Sequence, residues 1–296
     1  MTEHAAPNPT VLNPAPASAQ AAGEPATVVV EPRSGWRLID LREMRDYTDL
    51  FLFLVWRAIK VRYAQSAIGI GWVLVQPLAS MVVFTLIFGG LVGVSSDGQP
   101  YALFAFVALV PWTYFSNALT QATQSLSNDT ALISKIYFPR MILPMAMVTA
   151  RLVDFFIALV IMAVILLAFG QVPNAGILML PPLILMMVMT AGGLGLWLTA
   201  LSIQYRDVNH ASSFAVQLLM YASPVVYPAS LVPEHLQLAY ALNPMVGVIE
   251  GFRAALLGSR AMPWDMIGVG AAVAAFLAVS GMFYFRRKEH VFADVA

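Results

Sequence analysis

Long stretches without a charged residue restrict the possible folds of this 296-residue chain more than any other feature. They cover residues 63–96, 98–128, 155–205, 208–233 and 266–285. A helix that crosses the hydrocarbon core of a bilayer needs about 20 apolar residues. Charged residues make up only 11% of the chain, whereas a soluble domain has about a quarter. The chain is therefore an integral membrane protein.

The third stretch is too long for one helix, and Gly and Pro within Phe169–Gly176 interrupt it. Dividing it there, and starting its first half near Met141, predicts six transmembrane helices. Their ranges are 68–92, 101–123, 143–168, 177–203, 209–227 and 264–285. An even number of spans puts both termini on one side. Fourteen of the 16 Lys and Arg residues lie on that side, which predicts that both termini are cytoplasmic.

The segments that flank the spans are predicted separately. Residues 1–33 are rich in Ala and Pro, lack the features of a secretory signal and predict a disordered cytoplasmic tail. Residues 34–66 predict an amphipathic helix on the cytoplasmic membrane surface, because charges alternate with Leu38, Leu41 and Met44 at helical spacing. Residues 67–288 form the six-span domain in this division, and residues 289–296 form a cytoplasmic C-terminal tail.

Prolines break up the segment before the last span. They stand at positions 224, 228, 233 and 244, and Asn243-Pro244 is typical of a helix start. Two short helices, partly re-entrant from the outer side, fit these intervals. Non-helical backbone at membrane depth is tolerated only inside protein or beside water. This segment is therefore expected to border a cavity, as an outer gate or as a passive cap.

Several classes of chemistry are unsupported by the residues. The net charge is zero, which does not favour nucleic acid as a partner, and the chain has no cysteine. Its four histidines are scattered without metal-ligand spacing, so we expect no metal site. None of its three lysines follows a glycine, so the Gly-Lys-Ser/Thr loop that binds ATP phosphates is missing. We expect no cofactor in this chain; ATP and Mg would be bound by a partner.

A few polar and aromatic residues inside the spans are candidates for function. Arg151 and Asp154 lie three apart on the third span, and a structural ion pair is favoured there over a transport role. The candidate lining of a sugar conduit consists of Trp112, Tyr114, Phe115, Phe84 and Phe88. Buried Trp and Tyr need a hydrogen-bond partner, and aromatic faces suit the C–H faces of sugars. Packing against lipid is the alternative, especially for the Phe residues.

Small residues mark places where helices can approach closely. Gly89 and Gly93 lie four apart, as do Ala191 and Gly195. Their spacing leaves open whether they face a second copy of the chain or their own helix bundle. The loop "SLSNDTALISKIYFPR" after the second span fits either one short cytoplasmic helix or an ordinary loop.

A series of motifs resembles the ABC-type polysaccharide export permeases, the group that moves O-antigen, teichoic acid and related glycans. The series begins with "RAIKVRYAQSAIGIGWVLVQPL" before and within the first span. It continues with "LISKIYFPRMILP", the pair Arg151 and Asp154, "YRDV", "YASPVVYP" and "LNPMVGVIEGFRAALLG". The resemblance covers about residues 38–288 and does not include the tail rich in Ala and Pro.

The resemblance implies an assembly as well as a fold. Such permeases have six spans, a cytoplasmic surface helix and short outer helices; two copies form one channel, and each copy binds a separate ATPase subunit. The resemblance places Asp129, Lys135 and Arg140 in the segment that couples to the ATPase. It places Arg57, Lys60 and Arg62 in the surface helix, where their charge would anchor the helix at the lipid headgroups.

The expected function is therefore that of a permease subunit without enzymatic activity. It would export a lipid-linked polysaccharide such as O-antigen across the bacterial inner membrane, with ATP hydrolysed by the partner. A lipid or drug exporter is the nearest alternative, and a channel that works alone is another. A membrane-embedded enzyme that modifies glycans would need acid and base groups near a membrane face, and the outer loops offer few.

Overall fold

The computed structural model describes residues 45–64, 69–129, 138–171, 175–258 and 260–289, and all regular structure in these ranges is helical. The predicted N-terminal tail and residues 34–44 of the interface region lie outside the described residues. So do Lys135 and the C-terminal tail beyond Glu289. The finding of helices throughout the described ranges agrees with the predicted all-α class.

The helices within the described ranges follow one another with short connections. In chain order they are α1 Thr48–Tyr63, α2 Trp72–Phe84, α3 Tyr101–Asn128, α4 Ile142–Ala168, α5 Leu180–Gln204, α6 Asp207–Tyr221, α7 Glu234–Tyr240, α8 Pro244–Leu257 and α9 Trp264–Glu289. A π-helix, Thr85–Leu91, continues α2, and a 3₁₀ turn, Ala175–Met179, precedes α5. The predicted break in the long apolar stretch lies between α4 and α5, where Gly170 adopts a φ of 75°.

Among the described residues, five helices are long and apolar enough to cross a membrane. They are Trp72–Leu91, Tyr101–Asn128, Ile142–Ala168, Ala175–Gln204 and Trp264–Glu289. Five of the six predicted spans are thereby confirmed as apolar helices of sufficient length. The clearest difference lies in α3, which continues to Asn128, beyond the predicted end at residue 123.

The remaining predicted span, 209–227, is not confirmed. Helix α6 has 15 residues and ends at Tyr221, which gives it a length of about 22 Å. The helix cannot easily continue because Ser223 precedes Pro224, and a residue before proline is disfavoured in the α-helical conformation. The backbone then turns, and the carbonyl of Val226 accepts a hydrogen bond from the Tyr101 hydroxyl.

Helix α3 forms the centre of the bundle. Most of its side chains from Leu103 to Leu126 are buried, and it packs against α2, α4, α5, α6 and α8. A Cβ added at Gly195 would come within 2.9 Å of the Ala122 Cβ on α3. The stretch Ala191–Gly195 therefore serves close packing within one chain, at least along this face.

Helix α8 is buried along its entire length. The side chain of Asn243 accepts a hydrogen bond from the backbone N–H of Met245 at 3.1 Å, and Pro244 occupies the first turn. These contacts confirm the helix start predicted at Asn243-Pro244. Gly258 ends the helix in the left-handed conformation with a φ of 62°. Helix α8 packs on α3, α5 and α9.

Candidate functional site

A cavity of about 200 Å³ opens where the start of α2 meets α3 and α4. Three of its lining side chains are charged and contact one another, and we call this place the charged end of the cavity. The lining comprises Arg62, Tyr63, Gly69, Trp72, Val73, Gln76, Pro77, Val110, Thr113, Tyr114, Asn117, Arg151, Asp154, Phe155 and Ala158. The cavity is therefore amphipathic, with hydrogen-bonding groups from all four of the helices that line it.

The charged end is a network that we call the Asp154 cluster: Arg62, Tyr63, Gln121, Arg151 and Asp154. Asp154 Oδ2 accepts from Arg62 Nη1 at 2.7 Å and from Arg151 Nη1 at 2.9 Å. Gln121 Oε1 accepts from Arg62 Nη2 at 2.9 Å and from Arg151 Nε at 2.8 Å. Two cations thus share one carboxylate, which leaves one excess positive charge within the cluster.

Tyr63 completes the cluster as a neutral hydrogen-bond donor. Its hydroxyl donates to Asp154 Oδ1. Burial raises the pKa of Tyr63 to about 12, and its bond to the Asp154 carboxylate acts in the same direction. The phenol consequently keeps its proton near neutral pH and does not cancel the excess positive charge.

The cluster is anchored on three helices. Arg62 and Tyr63 end α1, Gln121 belongs to α3, and Arg151 and Asp154 lie on α4. The side chains of Arg62 and Arg151 are each 17% exposed and that of Asp154 is 14% exposed, so none of the three is fully buried. The ion pair that the sequence suggested between Arg151 and Asp154 is thus part of a larger network.

Sequence reasoning missed Gln121 and the polar wall beside it. Thr113, Asn117 and Gln121 are spaced by four residues on α3, which places them along one face of the helix. Thr113 and Asn117 line the cavity, while Gln121 joins the two arginines. Polar residues at that spacing within an otherwise apolar span could have predicted a polar face on α3 from the sequence.

The residues predicted to line a conduit occupy different environments. Trp112 and Phe115 are buried in the protein core, with ring centroids 5.4 Å apart. Tyr114 lines the cavity and donates its hydroxyl to the carbonyl of Val148 at 3.2 Å. Phe84 and Phe88 are half-buried and pack edge to face at 5.7 Å. Of the five, Tyr114 alone lines the described cavity, and the conduit role of the set stays a prediction.

The residues assigned to coupling by the resemblance are also spread over the structure. Arg57 of α1 pairs with Asp129, at the end of α3, at 2.8 Å. Lys60 is exposed on α1. The backbone N–H of Arg140 donates to Glu289 Oε1 at 2.9 Å, which joins the start of α4 to the end of α9. Lys135 lies outside the described residues, so the arrangement of the complete coupling segment stays a prediction.

A second charged network lies at the other end of α3. We call it the Glu250 cluster: Phe104, Val225, Ala229, Glu250 and Arg253. Arg253 Nη1 donates to Glu250 Oε1 at 2.8 Å, and Nη2 donates to the Val225 carbonyl at 3.0 Å. The guanidinium carbon lies 3.5 Å from the centre of the Phe104 ring, while Ala229 N–H donates to Glu250 Oε1. The network holds the proline-rich segment against α3 and α8.

Neither network is a metal centre. In the part of the chain that the structure describes, no three His, Cys, Asp or Glu side chains lie close enough together to hold a metal ion. The arginines of the Asp154 cluster instead offer hydrogen-bond donors to an anion. The chemistry available at the cavity is thus binding of a negatively charged group beside aromatic and amide side chains.

Comparison with protein families decides the class. The profile of the ABC-2 type transporters matches residues 49–257, which is more than half of the chain. The chain belongs to the ABC-2 type transporter family. This ABC-2 transporter chain contains both charged networks and the cavity within its matched range, and the membership confirms the resemblance found in the motifs.

Individual relatives extend over most of this ABC-2 transporter chain. The O-antigen export system permease protein RfbA of Myxococcus xanthus is 31% identical over 253 residues, or 84% of the chain and 96% of the relative. RfbA of Klebsiella pneumoniae is 24% identical over 83% of the chain and 95% of its own length. The capsule polysaccharide export inner-membrane protein CtrC of Neisseria meningitidis is 29% identical over 72% and 80%.

Proposed function

We propose that this chain is the membrane subunit of an ATP-driven exporter that moves a lipid-linked polysaccharide, such as O-antigen, across the bacterial inner membrane. The observation that carries the proposal is the match to O-antigen permeases over nearly the full length of both proteins. A match to a capsule exporter supports the same substrate class. A lipid or drug exporter receives no comparable support.

The orientation and number of crossings belong to this proposal. The fourteen-to-two division of Lys and Arg supports cytoplasmic termini. An even number of crossings then requires α6 to serve as a sixth transmembrane segment beside the five long helices. We propose that α7 and α8 complete the outer side above the short α6, with α8 partly re-entrant. Helix α1 would lie along the cytoplasmic surface, with Arg57, Lys60 and Arg62 near the headgroups.

A second copy of the chain is needed for transport of a polymer. Pockets for drug-sized ligands enclose about 300–1,000 Å³, and the cavity of one chain has about 200 Å³. That volume does not hold a chain of hydrated sugars. Helix α2 and its π-helical extension expose large apolar side chains, including Val82, Leu86 and Leu91. We propose that two copies enclose the conduit, with aromatic residues of the predicted set along its wall.

The energy would come from two copies of a nucleotide-binding subunit that holds ATP and Mg. The exposed pair Arg57–Asp129 joins α1 to the last turn of α3, next to the segment that contains Lys135. We propose this end of the molecule as the docking surface for the ATPase.

Purification of a tagged chain from its native host, with any ATPase subunit that accompanies it, tests the assembly. In mild detergent, we expect a complex of two membrane and two ATPase subunits by mass measurement, with ATP hydrolysis. A lone chain without ATPase activity, under conditions that preserve a known exporter complex, would contradict the proposal and favour a channel or an enzyme.

Charge reversal at Lys135 tests the docking surface. We expect Lys135→Glu to lower the amount of ATPase that co-purifies with the chain, because a cation at the subunit contact would become an anion. Arg260→Glu is the matched control: Arg260 is 49% exposed and pairs with Asp97, far along the chain from the coupling segment. An unchanged complex with Lys135→Glu would remove that residue from the contact.

A further inference from the structure

The charged end of the cavity has more positive than negative groups. Among the described lining residues, the charged side chains are Arg62, Arg151 and Asp154, which leaves one excess positive charge. Arg151 lies nine residues beyond the start of α4 at Ile142, about 14 Å along the helix axis. A charge within a membrane span is costly unless another group compensates it. An anion in the cavity would supply that compensation.

The arginines also retain hydrogen-bonding capacity. A guanidinium carries five N–H donors, and Arg62 directs Nη1 to Asp154 and Nη2 to Gln121. Arg62 Nε is buried and makes no hydrogen bond within the described structure. Gln121 and Asp154 fix the two guanidiniums relative to one another. This arrangement suits the several oxygen atoms of a phosphate group, which two arginines can contact at once.

The rest of the lining suits what would be attached to such a phosphate. Gln76, Thr113 and Asn117 offer amide and hydroxyl groups in the same cavity as the arginines. Trp72 and Tyr114 add aromatic rings to the same cavity. Hydrogen-bonding groups next to aromatic faces are the two features that recognise a sugar ring. One cavity thus presents cations, hydrogen-bonding groups and aromatic rings together, which are the groups that recognition of a sugar joined to a phosphate requires.

We propose that this cavity binds the phosphate or diphosphate group that joins a lipid carrier to its first sugar, with Arg62 and Arg151 as the ligands. Asp154 and Gln121 act as positioning residues that hold the arginines. The inference rests on the proposed function, because that function places the charged end at the cytoplasmic side of the membrane. The same chemistry would be offered by a bilayer phospholipid or by free diphosphate, and the experiment separates these sources.

Binding of radiolabelled farnesyl diphosphate to the purified exporter complex, in nanodiscs of phosphatidylcholine, tests the site. We expect saturable binding to the unaltered complex and at least a tenfold loss of affinity in Arg62→Gln and in Arg151→Gln. Arg260→Gln, which removes an exposed arginine outside the cavity, should leave the affinity unchanged. Absence of saturable binding, or an equal loss in Arg260→Gln, would overturn the assignment.

Asp154→Asn separates ligand binding from mere support of the fold. This variant raises the net charge of the cluster from +1 to +2 and keeps an acceptor oxygen. We therefore expect a smaller loss of affinity than in Arg151→Gln, because both cations remain while their positioning weakens. A loss equal to that of Arg151→Gln would show that the cluster acts only as a structural unit.

Arg151→Lys replaces Arg151→Gln if the latter fails to accumulate. Lysine keeps the positive charge but lacks the paired N–H donors of the guanidinium, so we expect a severalfold loss of affinity. Unchanged affinity would overturn the proposal.

Competition identifies the source of the anion. Inorganic pyrophosphate should compete at least tenfold more weakly than unlabelled farnesyl diphosphate, and phosphatidylglycerol in the nanodisc should not displace the probe. Equal competition by either would assign the site to free anions or to general headgroups and overturn the lipid-carrier assignment.

The failure of this site and the failure of the proposed function can be told apart. An intact, ATP-hydrolysing complex whose arginine variants bind normally would refute this site alone. Failure to form the complex would refute the proposed function.

Discussion

The Glu250 cluster and the Asp154 cluster contain the same local motif but differ in net charge and in access to a cavity. Each contains an arginine and an acidic residue three positions apart on one helix. In the Glu250 cluster one cation meets one anion, and the arginine also donates to backbone carbonyls of the proline-rich segment. In the Asp154 cluster a second arginine arrives from α1, 92 residues away in sequence. The first cluster is neutral and closed, and the second is positive and opens into a cavity.

Burial separates the two clusters further. The side chains of Arg253 and Glu250 are 3% and 7% exposed, whereas those of Arg62, Arg151 and Asp154 are 17%, 17% and 14% exposed. A charge without water depends wholly on its protein partners. We therefore assign the Glu250 cluster to structural support of the segment before α9. The comparison teaches that helical spacing of opposite charges does not distinguish support from ligand binding; the surroundings decide.

Arg253→Met should have the largest effect, because it leaves the Glu250 carboxylate buried without its cation. We expect the free energy of unfolding to fall by about 3–5 kcal/mol. Thermal or denaturant unfolding in mild detergent measures the loss. The double variant Arg253→Met with Glu250→Leu is the control and should recover much of the stability, since both charges are gone. An unaltered stability in the single variant would contradict the view that this pair is closed to water.

Asp154→Asn should have a smaller effect on stability. The two arginines lose a charged acceptor, which costs about 1–3 kcal/mol, but they are less buried than Arg253 and they border a cavity, which limits the loss. The same unfolding measurement, made beside Arg253→Met, tests the comparison directly. A loss of unfolding free energy as large as that of Arg253→Met would contradict the view that the Asp154 cluster contributes less to stability than the Glu250 cluster.

Arg57→Gln should have the smallest effect of the three on stability, because Arg57 belongs to the most exposed of the ion pairs compared. The Arg57 side chain is 43% exposed in its pair with Asp129. Exposed ion pairs contribute about 0–1 kcal/mol and are screened by salt. We expect a change in unfolding free energy below about 1 kcal/mol that shrinks further when salt is added. A loss of several kcal/mol, independent of salt, would show that α1 is held much more tightly than its exposure implies.

The interpretation of Trp112 shows where the sequence has no directional information. The sequence correctly placed this residue at the middle of a long apolar helix. In a membrane helix that is apolar on all sides, periodicity does not distinguish a face toward lipid, protein or cavity. The structure turns Trp112 into the core and Tyr114, two residues later, toward the cavity. Polar residues at four-residue spacing on α3 were a better guide to the cavity than its aromatic residues.

Length and composition alone indicated a membrane protein, and they predicted the five helices that are long and apolar enough to span a bilayer, because each crossing needs about 20 apolar residues. Local chemistry also predicted the start of α8, since a cap and a proline act within one turn. Tertiary structure decided the burial of α8 along its entire length and the contact between Arg62 and Asp154. These features depend on contacts between residues far apart in the chain, whose geometry no local pattern specifies.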